Sequence, residues 1–263
     1  MKSILRAAGV LALVVGLFGN TFAITWFPEE FTCPIDNEKN TFQMWGSYGS
    51  YVYAYPSKYQ WLFFPWTESE AYYTCKKCHF SAFLGEFDKL PKDKIPELKK
   101  LLAAVKVSKP FKEYRELPVS ERMDIMEKVY TVWGKDEAWW ENFYRLKGYH
   151  NGKEGNTAKA LEARKKSLEL IQKELKNPNS KAPKKLFYYI SAAMKHFTGD
   201  DKGALEDLQK ALETKFQEEG ASAEDLKNAE NGLNERIRDY IEKIKSDKAK
   251  PRLFDKSGSG DES

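Results

Sequence analysis

Three cysteines stand at the two ends of one aromatic segment, and their spacing constrains this chain more than any other feature. The first belongs to Cys33-Pro34-Ile35-Asp36 and the others to Cys75-Lys76-Lys77-Cys78-His79. In a C-x-x-C spacing a tight turn lets both positions aim at one ion about 2.3 Å away, and two such turns complete a tetrahedron. Here the first turn presents Cys33 and Asp36 and the second Cys75 and Cys78, a set of three sulfurs and one carboxylate that zinc accepts. The set fills the coordination sphere and leaves no open position for an activated water, so one structural zinc is the expected cofactor and no catalytic residue is assigned.

Two other uses of the same residues stay open. An odd number of cysteines cannot all pair within the chain, so a disulfide from Cys33 to Cys75 or Cys78 leaves one free thiol. A thiol-disulfide enzyme would use Cys75 and Cys78, although thioredoxin-like motifs sit at a helix start after a strand in a βαβ setting that the periodicity does not supply. His79 directly follows Cys78 and points elsewhere in an ordinary turn, where it stands as a substitute ligand for Asp36 or as a group behind the ligands.

Export is the expected setting. Residues 1–23 place Lys2 and Arg6 before an apolar run from Ala7 to Phe18, then a polar Gly19-Asn20-Thr21 and a small Ala23, which is the layout of a cleaved secretory leader. The run is short of the roughly 20 apolar residues that cross a bilayer, and no later stretch approaches that length. The mature chain is therefore expected to be extracytoplasmic, periplasmic or secreted, with no transmembrane segment after cleavage. The formal net charge of +4 comes from 43 basic and 39 acidic residues, and Lys2 and Arg6 supply two of the four excess charges. That balance gives no ground for a nucleic-acid partner, whose binding domains concentrate basic side chains on one face.

Between the cysteine turns the chain is rich in rings and turns. Residues 24–87 form the expected small module of short strands and loops, in which Tyr51, Tyr53 and Tyr55 alternate as on one strand face before Pro56 ends it. Rings there build a core in so small a unit, with stacking on a cell-wall glycan as the other use. Residues 88–117, with Pro91, Pro96 and Pro110, form a charged connector with one helix across 97–105.

Beyond Pro118 the period becomes helical, across residues 118–245. Met123, Met126, Tyr130 and Trp133 share one face; Trp139, Phe143 and Leu146 mark a second helix, and Leu161, Leu168, Ile171 and Leu175 a third, stopped by Asn177-Pro178. Leu186, Ile190, Ala193, Met194 and Phe197 mark a fourth, ended by Gly199, and Leu205, Leu208, Ala211 and Leu212 a fifth. The sixth runs from Leu226 to Ile244, started by a Ser222 and Asp225 capping pair. His150 falls in an expected Gly148-Tyr149-His150-Asn151-Gly152 turn and His196 beside Phe197 as a packed or capping ring, while Arg164-Lys165-Lys166 and Lys184-Lys185 read as solvated faces. The tail, residues 246–263, has too little apolar surface to order itself.

The segment from Leu186 to Leu212 resembles a tetratricopeptide unit, with Ala192, Ala204 and Ala211 small where two helices approach, and Gly148 and Ala160 echo it earlier. An ordinary antiparallel helical bundle accounts for the same residues. The order C-P-x-D, a long aromatic insert, C-x-x-C-H-F-S-A-F-x-x-x-F and then such helices resembles the bacterial domain of unknown function family 2225. Members of that family pair two C-x-x-C turns, and Asp36 occupies the place of the fourth cysteine.

The expected fold class is α+β, mostly α: a small zinc-ribbon-like β module followed by a TPR-like antiparallel helical-repeat domain. A phosphate-cradling glycine loop, a dinucleotide fingerprint, a nucleophile elbow and an H-E-x-x-H pair are all missing from the sequence. The expected function is that of an exported, non-enzymatic interaction or scaffold protein that receives a protein or peptide on its helical surface. The alternatives are the thiol-disulfide enzyme and the cell-wall glycan binder.

Overall fold

The computed structural model describes residues 25–47, 56–180, 182–217 and 220–246. The leader, the Tyr51, Tyr53 and Tyr55 alternation and the tail beyond Ser246 lie outside the described residues. Among the described residues the chain is α+β and mostly helical.

Two antiparallel hairpins come first. Strands β1 (Thr25–Thr32) and β2 (Lys39–Ser47) pair from Thr25↔Ser47 to Thr32↔Lys39, and β3 (Tyr72–Thr74) and β4 (Ser81–Phe83) pair from Tyr72↔Phe83 to Thr74↔Ser81. Each hairpin tip is one of the cysteine turns. The hairpins are held side by side by rings: Phe42 of β2 stacks on Tyr73 of β3 with centroids 4.2 Å apart, and the Tyr73 hydroxyl donates to the Gln43 carbonyl at 2.8 Å. Such offset stacks add to the apolar burial of each ring, and buried tyrosines keep their hydroxyl partnered.

Seven α-helices follow among the described residues: α1 (Ile95–Ala103), α2 (Val119–Trp133), α3 (Glu137–Lys153), α4 (Thr157–Lys176), α5 (Lys184–Phe197), α6 (Asp201–Glu213) and α7 (Ala223–Lys245). Their starts have physical causes: Asp136, Asp200 and Ser222 each accept a backbone N–H of the first turn, and the last is half of the Ser222 and Asp225 pair read from the sequence. Gly199 takes the left-handed φ of 98° that ends α5. Helices adjacent in sequence pack against one another from α2 to α7, and α2 also lies on β3 and β4. There the Arg122 guanidinium, almost fully buried, donates to the Ser69 and Tyr72 carbonyls at 2.8 and 2.6 Å.

Two sequence readings are corrected in the helices. His150 is in the body of α3, not in a turn, because Gly148 is there for close packing: a Cβ on it would meet Arg164 Cγ at 2.7 Å. Two of the residues read as solvated are buried. Arg164 covers Gly148 and its guanidinium lies 4.8 Å from the Phe197 ring, and the Lys185 ammonium donates to the Ala211 and Thr214 carbonyls at 2.7 and 2.8 Å, where α6 leaves its last acceptors unpaired.

Two apolar cores result. The first joins Cys33, Ile35, Phe42, Cys75 and Phe80 with Leu98 and Leu102 of α1, Tyr114, and the inner faces of α2 and α3. It therefore runs without a break through the residues that composition divides into module, connector and helical part. The second core gathers α4 to α7 around Tyr189, Ile237 and Tyr240, and Tyr59 enters it from the aromatic segment.

Candidate metal centre

The two cysteine turns are built alike. In the first, Cys33 N–H donates to the Glu38 carbonyl at 2.9 Å and Asn37 N–H to the Cys33 carbonyl at 3.0 Å; in the second, Cys75 N–H donates to the Phe80 carbonyl at 2.8 Å and His79 N–H to the Cys75 carbonyl at 3.1 Å. Asn37 and His79, each four residues after the leading cysteine, both adopt the left-handed conformation, with φ of 62° and 64°. That backbone state is uncommon for residues other than glycine, and Asn and His are among those that tolerate it best. Such a turn curls the backbone around its own first and fourth side chains, so positions 33 and 36, and 75 and 78, face inward together.

The hairpin packing brings the two tips together. The donor atoms of Cys33, Asp36, Cys75 and Cys78 all lie within 4.8 Å of one another. Cys33 Sγ is 3.5 Å from Cys78 Sγ, and Cys75 Sγ is 3.8 and 3.9 Å from the two Asp36 oxygens. A tetrahedron with bonds of about 2.3 Å has edges of about 3.8 Å. All three thiols are free, since a disulfide needs sulfurs about 2.05 Å apart.

The four residues named from spacing are thus the four that meet. His79 is not among them; its ring faces Phe111, with centroids 5.9 Å apart. Comparison with protein-family models, curated proteins and solved structures found no match. The resemblance to family 2225 accordingly rests on the residues that carry it.

Electrostatics favours a cation at the centre. The Cys75 thiol is pushed far below the usual thiol range by hydrogen bonds from Cys33 and Cys78 and then by the backbone N–H groups of Lys77 and Cys78. Cys33 is pushed up by its hydrogen bond to Cys75 and Cys78 by its bond to Cys33, with burial adding to both. A divalent ion would offset the penalty for ionising thiols held this close together.

Asn40 is the partner behind the ligands that spacing did not single out. It is buried, and its Nδ2 donates to the Glu38 carbonyl at 3.0 Å and reaches Cys75 Sγ at 3.5 Å, while its Oδ1 accepts Lys76 N–H at 2.9 Å. One amide therefore ties both turns and a ligand sulfur together, which orients the donors before any ion arrives. A sequence signal for the pairing of the turns does exist: Thr32-Cys33-x-x-Asp36-Asn37 and Thr74-Cys75-x-x-Cys78-His79 are the same six positions written twice.

Access is one-sided. Cys33 and Cys75 are buried, whereas Asp36 and Cys78 are half-buried and line a cleft of about 430 Å3 against α1, floored by Leu102 and Val105 and rimmed by Lys77 and Lys99. The C-x-x-C turn stands at a hairpin tip, not at a helix start, so the helix dipole that activates thioredoxin-like cysteines is not applied here.

Proposed function

We propose that this chain is an exported, non-enzymatic interaction or scaffold protein in which one structural zinc ion, held by Cys33, Asp36, Cys75 and Cys78, clamps together the two hairpins of a zinc-ribbon-like module that leads into a TPR-like helical surface. The observation that carries the metal reading is the convergence of four donors from two turns with the same backbone pattern. Two turns of one construction facing a common point suit a tetrahedral ion better than any pairwise bond among three thiols.

The TPR-like part is supported by helices that pack on their sequence neighbours and by fully buried small residues, Ala160, Ala192, Ala204 and Ala211, where paired helices meet. Repeats of this kind present an extended surface to a protein or peptide. Export is supported by the leader-like residues 1–23, and no helix among the described residues is long and apolar enough to cross a membrane. The deciding experiment is elemental analysis of anaerobically purified mature protein together with a thiol count in denaturant. One zinc and three thiols per chain are expected; a folded chain that, with its three thiols reduced, takes up no zinc would end the reading.

A further inference from the structure

We infer that Cys78 is the site at which a hydroperoxide oxidises the centre, with Cys33 as the resolving thiolate, so that oxidation expels the ion; this rests on the metal centre proposed above. Of the three sulfurs only Cys78 is half-buried, and it lines the cleft. Cys33 and Cys75 are buried and do not line it, and Cys75 is further engaged by Asn40. A zinc ion with three thiolates and a carboxylate carries a formal charge of −2, which leaves the sulfurs electron-rich, and an oxidant reaches the one that the cleft exposes. Lys77 and Lys99 on the rim place positive charge where an anionic leaving group departs.

The reaction balances with the hydroperoxide as sole oxidant. Cys78 thiolate attacks the terminal oxygen of ROOH; an S–O bond forms, the O–O bond breaks, the alkoxide takes a proton from water, and the sulfur is oxidised by two electrons to a sulfenic acid. Cys33 thiolate then attacks that sulfur; an S–S bond forms, the S–O bond breaks, and hydroxide leaves and is protonated to water. Two thiolates, one hydroperoxide and two protons give one disulfide, one alcohol and one water. The two sulfurs begin 3.5 Å apart on opposite turns, so closing to about 2.05 Å requires each tip to move by under about 1 Å. Cys75 and Asp36 remain as a two-donor remnant, too few to retain zinc.

The test uses the zinc-loaded full chain and hydrogen peroxide, with a chromogenic chelator reporting released metal, mass spectrometry of non-reduced peptides, and limiting iodoacetamide as a separate probe of sulfur access. Expected are one equivalent of zinc released per equivalent of peroxide consumed, a Cys33–Cys78 disulfide, metal rebinding after thiol reduction, and first alkylation at Cys78. A reduced full chain that does not take up zinc would sink the metal centre itself. A zinc-bound chain that keeps its ion in tenfold excess peroxide, forms a Cys75–Cys78 bond instead, or is alkylated first at Cys33 or Cys75 would overturn this inference and leave the metal centre standing.

Discussion

His150 shows how a single residue ties the aromatic segment to the helices. It is buried in α3, its Nε2–H donates to the Trp66 carbonyl at 2.8 Å, and its ring meets Tyr72 edge-on at 4.7 Å. Burial is the main cause that lowers its pKa from 6.5 to about 3. The folded state therefore refuses a proton that the unfolded chain accepts, so the stabilisation is complete above pH 6.5 and is lost as pH falls towards 3. Between pH 6.5 and 5 the loss is about 2 kcal/mol, at about 1.4 kcal/mol per pH unit. Urea melts at both pH values are expected to show that extra loss in the parent and not in His150→Gln, whose amide keeps a donor for the Trp66 carbonyl; equal acid sensitivity in the two would remove His150 from the account. The sequence hid this residue, because its flanking glycines carry the signature of a turn. The four residues of the candidate metal site were legible for the opposite reason: C-x-x-C spacing encodes a local backbone state, whereas the role of Asn40 depends on its meeting Cys75, 35 residues further along the chain, in space.

At the scale of elements, the helices were readable from their apolar period and their caps, since both are local. What the period does not reveal is which polar residue covers a close approach. Gly148 lies where α3 meets α4, and the Arg164 side chain fills the space that a Cβ would take. Alanine in a helix interior gains about 1 kcal/mol over glycine, but overpacking a filled site costs about 1 to 3 kcal/mol. Because the clashing atom is Arg164 Cγ, near the root of a buried side chain, relief demands that the whole arginine leave the Phe197 ring. Gly148→Ala is expected to lose about 1 kcal/mol net and Gly148→Val about 3 kcal/mol in denaturant melts. A stabilised Gly148→Ala would show that propensity wins and that the α3–α4 approach has slack.

Composition divides the chain into module, connector and helical part, and for the whole molecule the packing crosses each of those lines. Phe42 meets Tyr114 with centroids 5.0 Å apart, Phe83 meets Tyr130 and Phe143, and Leu98 and Leu102 enter the same core as the cysteine turns. The aromatic segment then spans both cores: Tyr59 bonds to Asp239 and packs on Tyr240 with centroids 4.4 Å apart, while Arg145 of α3 donates to the Gln60 and Trp61 carbonyls at 3.1 and 2.9 Å. These are contacts between residues up to 180 apart, and no local pattern encodes them. The consequence is that an ion at the cysteine turns would not by itself hold this segment together. Cut free, residues 24–87 keep their four candidate ligands and the packing of Phe42 on Phe31, Tyr73 and Phe87, but Phe83 loses Tyr130 and Phe143 and Tyr59 loses Tyr240, and a chain of about 64 residues is short for a core that must stand alone. The excised segment with one equivalent of zinc is expected to bind the metal yet lack the cooperative thermal transition and dispersed amide resonances expected of the full chain. A sharp two-state transition in the zinc-loaded fragment would mean that the hairpin rings pack on themselves and that the shared core is dispensable to the metal site.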